Sequence, residues 1–285
     1  MKEDQTKIDT STVPPFLRWA GSKKQHIPRL SQFWSPKYTR YVEPFAGSAA
    51  LFFHIQPKRA LLGDINDELI TTLKTVRLSP TGVSHALSSM PKGKLYYNEM
   101  RETDPASLGS IMRAARFIYL NRFCFNGLYR TNSKGKFNVP YGGVKSGSIP
   151  SSEQLKKCAA LLHRAELVSW DFRKTLAKAK KGDFVYLDPP YAVGNRRVFV
   201  EYGKQLFSEK DIKALRRILE RISKKGVKFV LSYADCSEAR KEFSKWSMRR
   251  MRTRRSVAGF LGARRNHYEL CVTNLRPKVW RTSSH

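Results

Sequence analysis

The chain reads as an α/β protein built on a mostly parallel sheet, and three observations predict it. Short apolar runs alternate with helical segments: Tyr41–Phe45, Leu61–Asp64, Glu166–Phe172 and Phe184–Leu187 each lead into a turn and a helix, the rhythm of βα units. The last of these runs halts at Asp188-Pro189-Pro190-Tyr191. Two successive prolines donate no backbone hydrogen bonds and hold φ near −65°, so a strand must stop there. The corner that results holds a carboxylate, free carbonyls and a ring at a strand's carboxyl end, where open α/β sheets keep their ligands. Finally, 285 residues with 41% hydrophobic side chains suit one large domain, or a main domain with an insertion.

Taken in order, residues 1–13 are polar and expected to be disordered. Phe16-Leu17-Arg18-Trp19-Ala20-Gly21-Ser22-Lys23-Lys24 follows. Its small-residue turn offers backbone N–H groups, and a nearby Lys can hold a carboxylate or phosphate; a helix start with a packed Trp fits equally well. Strand Tyr41–Phe45 runs into Ala46-Gly47-Ser48 and a helical stretch, the first βα unit of a nucleotide-type fold. A single glycine, with no GxGxxG, disfavours a dinucleotide. Asp64 closes the second strand 17 residues after Gly47, near the spacing at which an acid takes ribose hydroxyls. Capping of the next helix, Asn66–Arg77, is its alternative use. Together the glycine turn and the spaced acid favour adenosine binding.

The alternation then lapses from about 78 to 151. This stretch holds a polar run (Ser79–Met90), a helix (Leu108–Asn121) and a loop rich in Gly, Asn, Ser and Lys, with Phe125, Asn126, Leu128, Arg130, Asn138 and Pro140 among its residues. Aromatics interleaved with Arg, Lys and Asn suit insertion into DNA and reading of base edges. A hairpin turn at Asn126-Gly127 and the core of a small subdomain remain equal alternatives for these residues. Alternation resumes with strand Glu166–Phe172, helix Arg173–Lys180 and the Asp188 corner. Residues 192–207 are positioned as a flap, and helix Glu209–Lys224, strand Val227–Tyr233, helix Ser237–Lys245 and strand Tyr268–Asn274 complete the sheet. Boundaries follow at 1–77, 78–151 and 152–285, with the middle segment inserted into a catalytic domain.

Composition narrows the partner. Lys and Arg number 54 against 23 Asp and Glu, a net charge of +31, and 12 Tyr, 16 Phe and 5 Trp are available for stacking; a polyanion, and nucleic acid first, is expected. Residues 240–265 alone carry ten Lys or Arg and one acid, a run suited to a phosphate backbone. No 18-residue apolar run and no signal core occur, so a cytoplasmic protein is expected with no membrane partner. Cys124, Cys158, Cys236 and Cys271 lie at least 34 residues apart, which suggests neither a disulfide framework nor a metal site.

Aromatic-Ala-Gly-Ser at 45–48, Asp64 and Asp-Pro-Pro-Tyr at 188–191 resemble, in this order, the amino-methyltransferases that use S-adenosylmethionine. Adding Arg18–Lys23 and the block from Asn121-Arg122 through Phe125–Leu128 and Arg130 to Phe137–Pro140, the chain resembles the Dam family of DNA adenine-N6 methyltransferases, the D12 class, over residues 16–275. The resemblance implies a Rossmann-like methyltransferase sheet, mostly parallel with an antiparallel strand near one edge, and an inserted, mostly helical target-recognition domain containing a hairpin loop. It implies S-adenosylmethionine as cofactor, double-stranded DNA as partner, GATC as target, a monomer, and no metal. Residue by residue, Trp19, Ala20, Gly21 and Lys23 would meet the cofactor's methionine end, Phe45 and Gly47 its turn, and Asp64 its ribose. Asp171 and Phe172 would form its adenine pocket. Asp188 and the Pro189 carbonyl, stiffened by Pro190, would hold the target N6, and Tyr191 would stack on the base. Arg130 is similar to the arginine that reads a guanine, and Phe125 and Asn126 to residues that enter the duplex; Leu128, Asn138 and Pro140 belong to the same block. Arg18 and Phe125 stand where close relatives carry Lys and Tyr. The 141 residues between Gly47 and Asp188 leave room for the insert, which ribosomal RNA methyltransferases of this kind usually lack. Cytosine-N4 enzymes more often carry Ser at the Asp188 position, and an inactive DNA-binding module is opposed by Gly47, Asp64 and Asp188 together.

Overall fold

The computed structural model describes residues 12–19, 23, 25–143, 146–191, 207–253 and 267–275. The expected disordered terminus (save 12 and 13), Ala20 and Gly21, flap residues 192–206 and the basic stretch 254–266 lie outside these. A short helix, α1 (Ile27–Leu30), leads to β1 (Arg40–Glu43), α2 (Ala50–Ile55) and β2 (Ala60–Gly63). Five helices follow: α3 (Asp67–Leu78), α4 (Pro80–Ser88), α5 (Lys94–Glu102), α6 (Ser110–Phe123) and α7 (Ser152–Leu162). Then come β3 (Ala165–Val168), α8 (Phe172–Ala177), β4 (Asp183–Leu187), α9 (Glu209–Lys224), β5 (Lys228–Ala234), α10 (Ser237–Glu242), β6 (Ser247–Thr253) and β7 (His267–Thr273).

Among the described residues the strands form one sheet in the order β3-β2-β1-β4-β5-β7-β6. From β3 through β5 every pairing is parallel, with Val42 opposite Leu61 on one side and Val185 on the other. β7 runs antiparallel to both β5 and β6. Strands buried on both faces read as continuous apolar runs; β2 (Ala-Leu-Leu-Gly) and β4 (Asp-Phe-Val-Tyr-Leu) are buried at every position. Alternate side chains feed two cores. Tyr41, Leu62, Phe184 and Tyr186 face α3–α7, whereas Val42, Leu61, Val185 and Leu187 face α8–α10, which gives three layers.

α9 shows how sequence sets a local element. Ile212, Leu215, Leu219 and Ile222 fall on one buried stripe, and Ser208 with Asp211 closes a capping box, worth about 1 kcal/mol. The stretch between α3 and α7 is more helical than its composition suggests. Ser79–Met90, read as a polar run, is mostly α4, because Val83, Ala86 and Leu87 recur at helical spacing and are buried. α5, α7 and strand β6 are likewise additions to the sequence reading. α6 packs on α3, α4 and α5 and is buried at all but one position from Ala114 to Phe123. Its Arg116, 3% exposed, donates to the carbonyls of Met100 (2.7 Å) and Arg101 (3.1 Å), which satisfies the last turn of α5. Apolar residues of this stretch, among them Phe117, Tyr119 and Val139, join the same core as Phe16, Phe52 and Phe184. β3 ends at Val168, and Asp171 lies beyond it as the N-cap of α8.

Candidate active site

The sheet order reverses at β1. Strands β2 and β3 are laid to one side of it, and β4 and β5 to the other. A crevice opens at such a switch point beyond the carboxyl ends of the strands. It brings the turn after β1 beside the corner after β4, so residues 45–49 and 188–191 adjoin despite their separation in sequence.

The β1 turn is strained and tightly held. Gly47 has φ +47° and Ala49 φ +51°, left-handed values that cost an L residue roughly 1–2 kcal/mol. A Cβ on Gly47 would lie 2.8 Å from both Cδ1 and Nε1 of Trp19, so only glycine fits. Asp64 organises the turn: Oδ2 accepts from the Gly47 N–H and Oδ1 from the Asn66 N–H, both at 2.9 Å. The alternative of Asp64 as helix cap is not realised, since Asn66 caps α3 through the Leu69 N–H. Burial pushes the Asp64 carboxyl above its ordinary pKa, and the backbone N–H donors oppose that rise. Beside it Phe45 stacks on Phe172 at 5.3 Å, and Phe207 closes on both rings. Asp171 accepts from the Arg173 N–H at 2.8 Å and pairs with its guanidinium, which lies over the Phe172 ring. A carboxylate acceptor next to an aromatic box is a set of groups suited to adenosine.

The β4 corner is built on buried charge. Lys23, 8% exposed, places Nζ 3.0 Å from Asp188 Oδ1 and 3.5 Å from Glu269 Oε1 and donates to the Tyr191 hydroxyl at 3.0 Å. Tyr191 in turn donates to Glu269 Oε1 at 2.9 Å. Burial works against the Lys23 charge, but Asp188, then Tyr191 and Glu269, outweigh it and raise its pKa. Burial lifts the Tyr191 hydroxyl as well. Lys23, expected at the cofactor's methionine end, is thus engaged with Asp188. Pro189 is buried and Pro190 half-buried, which fixes the corner. Behind it Glu43, 3% exposed, accepts from the Tyr41 hydroxyl at 3.0 Å. Burial raises its pKa well above the usual range, against the Tyr41 hydrogen bond and with help from Asp188 and Asp64.

The loop between α6 and α7 adjoins this crevice through Trp19 and Arg18. Trp19 stacks on Tyr129 at 5.8 Å. The Arg18 N–H donates to Asn121 Oδ1 at 2.8 Å, and Asn121 Nδ2 donates back to the Arg18 carbonyl at 2.7 Å. The Arg18 guanidinium reaches the Arg122 carbonyl at 3.3 Å, and a Cβ on Gly127 would meet the Arg18 side chain at 2.8 Å. Asn126 and Gly127 both take positive φ in a tight turn within an antiparallel pairing of the loop, Cys124 with Tyr141 and Thr131 with Phe137, whose reversal lies further on. Arg130 Nε donates to Asn138 Oδ1 at 2.9 Å. Phe125 is 43% exposed, the one exposed phenylalanine among the described residues, and its N–H donates to the Pro140 carbonyl. Leu128 is half-buried against the core. In the basic run, Arg240 and Arg250 both pair with Asp235, and Arg250 lies over the Tyr268 ring. Sequence reasoning missed Glu269, Tyr129 and Phe207 as site residues. A lone acid in the apolar strand Tyr268–Asn274 was the one available signal.

Comparison with known proteins places the chain in a family. The family model described as D12 class N6 adenine-specific DNA methyltransferase matches residues 19–257. A Type II methyltransferase, M1.LlaDCHI of Lactococcus lactis subsp. cremoris, is 33% identical over 91% of this chain and 95% of its own length. A DNA adenine methylase of Vibrio cholerae is 32% identical, with 93% and 96% covered. The retron Ec67 DNA adenine methylase of Escherichia coli is 32% identical, with 90% of each covered. Among the described residues no helix is long and apolar enough to cross a membrane. The chain belongs to the D12 class of adenine-specific DNA methyltransferases.

Proposed function

We propose that this enzyme moves a methyl group from S-adenosylmethionine to N6 of an adenine rotated out of duplex DNA, within GATC. The observation that carries the reading is the pairing of Asp188 with Lys23 at the switch-point crevice, beside the Gly47 turn and Asp64. The cofactor supplies an electrophilic methyl group on a sulfonium. Asp64 is suited to its ribose hydroxyls, Phe45, Asp171 and Phe172 to its adenine, and Trp19, Ala20 and Gly21 to its methionine end, while Lys23 is held by Asp188, Tyr191 and Glu269. The adenine amine is a weak nucleophile because its lone pair is delocalised into the ring. Acceptance of its N–H bonds by Asp188 and the Pro189 carbonyl would favour the pyramidal form that attacks in line. The N6–C bond would form as the sulfonium S–C bond breaks, the thioether would leave as S-adenosylhomocysteine, and the surplus N6 proton would pass to water. Tyr191 holds the ring by stacking, so positioning and electrostatics supply the rate.

The amine is out of reach inside a duplex, and flipping the base costs a few kcal/mol. Phe125, exposed at a tight turn, is shaped to fill the gap, with Asn126 against the orphaned base. Arg130 offers two donors to a guanine O6 and N7, and residues 78–151 act as the recognition segment, Arg18, Leu128, Asn138 and Pro140 lining the same side. The protein acts as a cytoplasmic monomer on chromosomal or phage DNA. Modified-base sequencing of treated DNA tests the proposal: N6-methyladenine confined to GATC is expected. Cytosine-N4 methylation, or preference for ribosomal RNA, overturns it. Asp188→Ala should abolish transfer while duplex affinity persists, and near-normal turnover in that variant refutes the assigned site.

A further inference from the structure

Glu269 is the carboxylate in the crevice that this reaction leaves without a task. It sits on β7 opposite Ala234 of β5 and Met251 of β6 and is 3% exposed. A buried carboxylate is costly unless paired and hydrogen-bonded, and here both oxygens are engaged. Oε1 accepts from the Tyr191 hydroxyl and faces Lys23; Oε2 accepts from Ser232 Oγ at 3.4 Å and lies 3.9 Å from His26 Nε2. Because it rises from the middle strand of an antiparallel triplet, its position is set by the sheet, whereas Asp188 and Tyr191 stand on a loop corner.

We infer that Glu269 is a positioning residue, which divides Lys23 between two carboxylates and clamps the Tyr191 hydroxyl so that Asp188 presents a fixed, charged acceptor to the target amine. The inference rests on amine methylation at Asp188. Lys23 carries three N–H bonds and meets Asp188, Tyr191 and Glu269. One cation between two carboxylates leaves the corner one negative charge in excess, on the side where positive charge develops as the amine gains its methyl group. With an amide at 269, Lys23 would have Asp188 alone as counter-charge. The ion pair would then become neutral, and Asp188 would be drawn toward the ammonium and away from the base. The Tyr191 hydroxyl, which receives from Lys23 and gives to Glu269, fixes the ring against the Tyr233 edge at 5.3 Å.

Glu269→Gln keeps the size and one acceptor oxygen while removing the charge. Single-turnover methylation of a short duplex at saturating cofactor should slow roughly 10- to 100-fold, the scale of a lost hydrogen bond to a charged group. Affinities for duplex and S-adenosylmethionine should stay within about threefold of wild type, because the loss falls on the transfer step. Glu269→Asp should recover part of the rate. A Glu269→Gln rate equal to wild type refutes the inference, as does a fall in both affinities with the single-turnover rate unchanged. Should Glu269→Gln fail to fold, Tyr191→Phe decides: it keeps the ring but removes the clamped hydroxyl, so a slowed transfer step supports the clamp and a wild-type rate overturns it. The product of the wild-type protein is read separately. Absence of N6-methyladenine sinks the proposed reaction and this inference with it, whereas N6-methyladenine with an indifferent Glu269→Gln sinks the inference alone.

Discussion

Gly47→Ala is the smallest change that should disable the turn proposed to hold the cofactor. The added methyl would sit 2.8 Å from two atoms of the Trp19 ring, on a backbone with φ +47°. The left-handed conformation costs an L residue roughly 1–2 kcal/mol. Relief of the clash requires Trp19 to move, and its stacking on Tyr129 is worth about 0.5–1.5 kcal/mol beyond burial. The sum is about 2.5 kcal/mol, which for a chain of this size lowers Tm by roughly 5–10 °C. The same shift pulls the Gly47 N–H from Asp64 Oδ2, now 2.9 Å apart, and an unpaired buried N–H adds about 1–3 kcal/mol. Thermal melts with and without S-adenosylmethionine, together with calorimetric titration of the cofactor, test this. The variant should melt lower and bind the cofactor at least tenfold more weakly, with duplex affinity less affected. A melt within a degree of wild type and an unchanged cofactor Kd would refute the argument that Trp19 confines this turn.

Other substitutions test other parts. Phe125→Ala should alter stability by less than about 0.5 kcal/mol because the ring is exposed, yet it should reduce the fluorescence rise of 2-aminopurine placed at the target position. An unchanged rise would remove Phe125 from base extrusion. Arg130→Ala should relax discrimination at one guanine of the site by roughly 10- to 100-fold, as expected for a bidentate contact worth about 1–3 kcal/mol; competition between matched and single-mismatch duplexes reads it. Glu43 gives a pH signature. Its folded pKa lies well above the ordinary 4.5, so above pH 4.5 the unfolded chain loses a proton that the folded protein keeps. Stability therefore falls with rising pH, by up to about 1.4 kcal/mol per unit, until the folded pKa is passed. Glu43→Gln removes that dependence, and urea melts at about pH 5, 6 and 7 should show its advantage widening. Parallel pH profiles would contradict the assignment of a buried, protonated carboxyl.

The sheet was legible in the sequence because doubly covered parallel strands are apolar without interruption, as in Phe184–Leu187, and because Pro189 and Pro190 admit only one place for the strand to end. Gly47 and Asp64 were legible for a similar reason: a turn and an acid at fixed spacing leave few geometries. The helical stretch from Pro80 to Glu102 was not, since Ser, Thr and Gly hid the recurrence of Val83, Ala86 and Leu87. β6 was hidden by its charges, Arg249, Arg250 and Arg252, on an edge strand whose inward side chains alone report the sheet. The Lys23–Glu269 network could not be read at all, because its members come from residues 23, 188, 191, 232 and 269 and meet only when β7 slots in beside β5. Asn138 was legible as part of the block expected to meet DNA, but its pairing with Arg130, a restraint that orients the guanidinium, was not.

The Asn121 carboxamide does for Arg18 what a neighbouring strand does for a residue in a sheet, taking its N–H and giving to its carbonyl. It thereby welds the segment bearing Trp19 to α6, the helix leading into the loop proposed to meet DNA. On the proposed reading, two binding surfaces share this joint. Whatever factor the cofactor gains by ordering residues 18 and 19 when DNA is present, DNA must gain by the same factor when the cofactor is present, since linkage is reciprocal. With Trp19 proposed at the cofactor and the α6–α7 loop proposed at DNA, Asn121 is the residue expected to couple the two affinities, and Asn121→Ala should lessen that coupling.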